Sequence, residues 1–143
     1  SDVFFLKPDP DITLTSPSSA QIPVTVGGYQ VSDKGLYIDS GRGFTVSSVV
    51  KPDFVAPAVN VQGVGVRDNY VTASGTSVAA AVTAGACAQI MEWGIYRQEN
   101  LALNSVEIGN LLIRGCDRSR ELVYPNTAWG YGRLDAYQAI LAL

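Results

Sequence analysis

The sequence predicts an α/β fold, a mostly parallel sheet with helices packed on it and one buried helix at its centre. Short apolar runs broken by proline and glycine occupy the first third of the chain, while helix-compatible stretches fill the second half. One of those stretches carries small residues on every side and follows directly on a short extended segment. Strands that give way to helices, with a helix launched from a strand end, form the pattern of a layered sheet. At 143 residues, 47% apolar and 16% charged, the chain suits a single globular domain over residues 1–143.

Taken in order, Val3-Phe4-Phe5-Leu6 is a compact apolar run closed by Lys7-Pro8-Asp9-Pro10-Asp11, and Ile12-Thr13-Leu14-Thr15 alternates with the period of a strand. Ile22-Pro23-Val24-Thr25-Val26 reads as a further strand, with Pro23 at an edge or starting position and Gly27-Gly28 as its terminator. Asp33-Lys34-Gly35 and Ser40-Gly41-Arg42-Gly43 are turns. In Lys51-Pro52-Asp53-Phe54-Val55-Ala56-Pro57, two prolines bracket a short apolar stretch and stiffen it, and a strand is expected at Asn60–Val64.

Small residues at 79, 80, 81, 84, 85, 86 and 88 surround the first helix, which is expected to be central because no face of it is polar. Asn104-Ser105-Val106-Glu107 has the spacing of an N-cap with a reciprocal acid, opening a second helix to about Arg114. Trp129-Gly130-Tyr131-Gly132 is a turn. A last helix is expected over 134–143, with Leu134, Ala136, Ile140 and Leu141 on its apolar side.

The chemistry centres on Ala73-Ser74-Gly75-Thr76-Ser77-Val78-Ala79-Ala80, where a serine falls at the turn into the small-residue helix. A hydroxyl at a helix N-terminus can be presented as a nucleophile beside N–H groups able to hold an oxyanion. Taken alone, Gly-Thr-Ser is equally the sequence of a simple helix cap. The chain contains no histidine, so the usual base for such a serine is missing. Asp53, Asp68 and Asp135 are poor substitutes, because a carboxylate titrating near pH 4 is badly matched to a serine hydroxyl. Cys87 as a nucleophile would lack a base as well.

Three blocks in this order, Lys51–Asn60, Gly75-Thr76-Ser77 running on to Thr83-Ala84-Gly85, and Gly130-Tyr131-Gly132-Arg133-Leu134, resemble the C-terminal half of the catalytic domain of subtilisin-like serine peptidases, the subtilase family. The resemblance extends over roughly residues 20–143. It implies that Ser77 is the nucleophile, that its backbone N–H is one oxyanion donor with Thr76 as supporting hydroxyl, and that Lys51–Asn60 is structural. It implies endopeptidase activity through an acyl-enzyme, with peptides or proteins as substrates. The family's Pro-His-Val-Ala-Gly is replaced by Ala81-Val82-Thr83-Ala84-Gly85, and that histidine is not the catalytic one. The family's catalytic Asp and His and its oxyanion Asn precede the segment represented here, so the N-terminal portion of the domain is implied as a partner and the isolated chain is expected to be inactive. The main specificity pocket is implied to lie largely upstream, with the Ser16–Ile22 loop as one wall. A pseudoenzyme serving as a binding or regulatory module is the alternative reading.

A formal charge of −3 and scattered basic residues argue against nucleic acid as a partner. The longest apolar run, Val78–Met91, is short for a bilayer and interrupted by Thr83 and Gln89, so no membrane partner is expected. No cofactor or metal-ligand spacing is present, and structural calcium enters only through the resemblance. Cys87 and Cys116 are read as free thiols. An unpaired sheet edge is expected to favour a homo-oligomer of the fragment or a bound partner. Localisation is open, although family members are often secreted and a similar Gly-Thr-Ser-Val-Ala-Ala-Ala run occurs in subtilases of anaerobic spore-formers.

Overall fold

The computed structural model describes residues 5–97 and 103–143. Its elements in order are β1 (Val26–Tyr29), β2 (Phe54–Pro57), β3 (Val61–Val64), β4 (Tyr70–Ala73), α1 (Thr76–Arg97), α2 (Ser105–Gly115) and α3 (Ala136–Leu141). β1 and β2 pair in parallel with Val26 opposite Phe54, whereas β3 and β4 pair antiparallel with Val61 opposite Ala73. The expected parallel sheet is therefore present as one strand pair. The short turn from Gly65 to Asn69 can only return the chain antiparallel, since a parallel return needs a longer crossover.

Gly27 and Gly28 lie inside β1 rather than ending it. A Cβ on Gly28 would stand 2.6 Å from the Ala58 Cβ, so this glycine serves close packing rather than a turn. Ile12–Thr15 forms no strand: Ile12 adopts a φ of 56°, which interrupts extension, and Thr13 instead exchanges hydrogen bonds with Arg42. The compact apolar run Val3–Leu6 lies partly outside the described residues, and its Phe5 and Leu6 are exposed.

Two tethers fix the sheet. The Lys51 Nζ is almost wholly buried and donates to the Pro23 carbonyl (2.8 Å) and to Asp53 Oδ2 (2.7 Å). The same carboxylate oxygen accepts from the Thr25 amide at 2.7 Å, so one ion pair joins the approaches to β1 and β2. On the other side of β2, Val55 donates to the Gly132 carbonyl and accepts from the Leu134 amide. The Trp129–Leu134 segment thus runs alongside β2 as an irregular neighbour.

The core forms where β2 meets the helices. Phe54, Ala86, Ile90, Ile108, Leu112 and Ala139 pack together, and a smaller cluster of Ala56, Ala58 and Ala79 lies under the start of α1. α2 begins as the sequence predicts: Asn104 Oδ1 accepts from the Val106 and Glu107 amides, and Glu107 Oε2 accepts from the Asn104 amide. α3 is shorter than expected, capped by Asp135, and its Leu141 is exposed.

The expectation of a buried central helix needs correcting. Only one stripe of α1 is covered, by way of Ala79, Thr83, Ala86 and Ile90, while Ala80, Ala81, Ala84, Gly85 and Ala88 face outward. Among the described residues nothing packs on that outer face. The helix extends beyond the apolar run Val78–Met91: residues 76–96 reach a mean hydropathy of 1.3, enough by length and composition to cross a bilayer. Its buried stripe instead packs on β1, β2 and α3 in the manner of a core helix.

Candidate active site

α1 starts where it does because the chain before it is pinned at two points. The Gly75 amide donates to the Ala58 carbonyl at 2.8 Å, and the Ser74 hydroxyl accepts from the Asn60 amide at 2.9 Å. Both bonds reach the residues that follow β2, so the helix start is referred directly to the parallel strand pair. Gly75 has a φ of 144°, a conformation closed to residues with a side chain, and turns β4 into the helix. Its carbonyl then accepts from Val78 and Ala79, the first amides of the helical ladder.

Ser77 is the second residue of α1 and is exposed. Its hydroxyl makes no hydrogen bond among the described residues. Of the first-turn amides, those of Thr76 and Ser77 have no acceptor among the described residues, and no acidic side chain occupies that turn. An oxyanion formed on an acyl group attached to Ser77 would meet donors and no opposing carboxylate. Thr76 is half-buried, and its side chain borders a cavity of about 460 Å³ that also includes Leu14, Ser18, Thr25, Ser40 and Arg42. Ser18 comes from the loop that sequence analysis names as a pocket wall. Arg42 and Leu14 were not singled out, because nothing local in the sequence shows that the 13–15 and 40–42 segments meet; the Thr13–Arg42 hydrogen bonds bring them together.

The three aspartates considered as substitute bases are engaged elsewhere or distant in the fold. Asp53 is held by Lys51 and Thr25, and Asp135 Oδ1 accepts from the Gln138 amide as the cap of α3. Asp68 sits in the β3–β4 turn with a φ of 55°. Both cysteines are free thiols. Burial pushes the Cys87 thiol up, and it pushes the more deeply buried Cys116 thiol up to about 12, so neither is an activated nucleophile. Calcium enters no step below: among the described residues no three His, Cys, Asp or Glu side chains gather into one site.

Comparison with known proteins agrees with this geometry. The subtilase family model matches residues 8–132. Over 90% of its length the chain is 30% identical to the serine protease AprX of Bacillus subtilis, of which it spans 32%. The solved CspB protease of Clostridium perfringens superposes with a TM-score of 0.88 at 34% identity, covering 95% of this chain and 30% of that one. The prenylagaramide maturation protease PagA shares the fold, with a TM-score of 0.75 at 23% identity over 94% of this chain and 47% of its own. The chain thus spans about a third of AprX and of CspB. With most of its residues matched and its helix start built as described, the chain belongs to the subtilase family.

Proposed function

We propose that this chain is the C-terminal part of the catalytic domain of a subtilisin-like serine endopeptidase, with Ser77 as its nucleophile and Thr76 as support for the oxyanion. The observation that carries the reading is the exposed Ser77 hydroxyl in the first turn of α1, beside the Thr76 and Ser77 amides, which have no acceptor among the described residues. AprX and CspB, both named as proteases, support the reaction class. In the reaction, Ser77 Oγ bonds to the scissile carbonyl carbon while a histidine takes its proton. That proton passes to the departing amine as the C–N bond breaks, and water then releases the acyl group by the reverse sequence. The chain has no histidine, so the base and its orienting aspartate come from polypeptide outside these residues.

The outer face of α1 supports the same reading at the level of packing. Ala80, Ala81, Ala84, Gly85 and Ala88 allow a second backbone to approach closely, and CspB carries more than twice as much further chain as it shares with this one. We assign that face to the remainder of the catalytic domain.

Labelling with a fluorophosphonate tests the proposal. The isolated chain should stay unlabelled, and addition of the upstream portion of the domain should bring labelling that Ser77→Ala abolishes. A full-length, correctly processed protein that resists the probe would overturn the peptidase reading in favour of a binding or regulatory module on the same fold.

A further inference from the structure

The cavity beside the start of α1 contains a cation without an acceptor. Arg42 is fixed through its backbone, its amide donating to Thr13 Oγ1 at 2.9 Å and its carbonyl accepting from the Thr13 amide at 2.8 Å. The side chain is half-buried and lines the cavity, yet among the described residues it forms no ion pair and no side-chain hydrogen bond. A guanidinium carries five donors and no acceptor, and with no protein partner these donors face the solvent of the cavity, where a ligand can meet them.

The other charged groups nearby do not neutralise it. Asp39, also on the cavity wall, is exposed and lies beside the Tyr37 hydroxyl, whose pKa it raises. Asp9 and Asp11 flank the wall residue Pro10, and Asp9 Oδ1 accepts from the Asp11 amide at 2.9 Å. None of these carboxylates forms an ion pair with Arg42; the ion pairs among the described residues are Lys51–Asp53 and Arg133–Asp117. The remaining polar lining is largely hydroxyl, from Thr13, Thr15, Thr25 and Thr76. Thr13 Oγ1 donates to the Pro10 carbonyl and Thr25 Oγ1 to the Ser18 carbonyl, which leaves the Thr15 and Thr76 hydroxyls to donate to a carboxylate, and none of these side chains is charged.

We propose that this cavity is a subsite for an acidic side chain of the peptide that Ser77 attacks, and that Arg42 is the residue that reads it. The inference rests on the peptidase reading above. Thr76 borders the cavity and adjoins Ser77, so the side chain received there belongs to a residue close to the scissile bond. A carboxylate can meet the guanidinium with two parallel hydrogen bonds, whereas a glutamine side chain offers one uncharged acceptor and a lysine offers repulsion.

The test uses the full-length protein that carries this sequence. Fluorophosphonate labelling of Ser77 is measured first. Peptide substrates that differ only in a Glu, Gln or Lys next to the scissile bond are then compared by kcat/KM. The expected result is a preference for Glu over Gln of about tenfold or more, the range for a hydrogen bond to a charged group. Arg42→Glu should invert the Glu-to-Lys ratio. Arg42→Lys should retain a preference for Glu and Arg42→Gln should lose it, which keeps the test informative if the charge reversal fails to fold. Ser77 labelling together with a Glu-to-Lys ratio that these substitutions leave unchanged would overturn the subsite while sparing the peptidase reading. Absence of labelling in the unmodified protein would remove both.

Discussion

Ser77 is exposed and its hydroxyl supports no hydrogen bond among the described residues, so its removal should leave the fold intact while ending the chemistry. In the assembled catalytic domain, Ser77→Ala is expected to lower turnover by about 10⁶-fold, the cost of losing the nucleophile of a serine triad. Thermal unfolding of the same variant should shift by no more than the ~0.5 kcal/mol of an ordinary surface change. Lys51 is the reverse case. Lys51→Met leaves the Asp53 carboxylate half-buried without its cation, and chemical denaturation should report a loss of about 3–5 kcal/mol. Cys116 gives a pH dependence. Its thiol is raised by burial to about 12 from an ordinary value of 9, so the unfolded chain sheds that proton first as the pH rises. The contribution is complete below pH 9 and is lost as the pH climbs towards 12, and Cys116→Ser should flatten that alkaline slope in a denaturation series.

α2 and α1 show which features of an element can be read locally and which depend on its surroundings. The Asn104–Glu107 capping box was legible because every atom it uses lies within four residues, and Asn104→Ala should cost about 1 kcal/mol in a thermal melt. Gly27 and Gly28 were not legible: two adjacent glycines imply a turn from composition, and only the approach of Ala58 reveals a packed strand. The burial of α1 was misread for a related reason. A helix of small residues can be covered on all sides, but how many sides are covered depends on chain that packs from elsewhere, and these residues cover one. The placing of Thr76 and Ser77 at the start of α1 was legible from ordered motifs, whereas Arg42 became visible only when the 13–15 and 40–42 segments met. The outer face of α1 yields its own prediction. Ala84→Trp should change the stability of the isolated chain by no more than about 0.5 kcal/mol, since it projects from an exposed position. The same substitution should abolish recovery of Ser77 labelling when the upstream portion is added.

The parallel pair of β1 and β2, the buried Lys51–Asp53 bridge and the three helices form a body whose main apolar cluster is closed, yet one long helical face is left uncovered. Molecules of this shape associate, and sedimentation velocity should find the isolated chain as a dimer or larger species that returns to a single heterodimeric boundary once the upstream portion is supplied. The β3–β4 hairpin stands apart from this body, with Val64, Val66 and Tyr70 largely exposed. Both of its ends are clamped, at Asn60 by the Ser74 hydroxyl and at Ala58 by the Gly75 amide, so its tip is mechanically isolated from the serine that follows. Residues 66–68 are therefore a permissive splice point, where a tag or a foreign loop can be carried without retuning the start of α1 at Ser77.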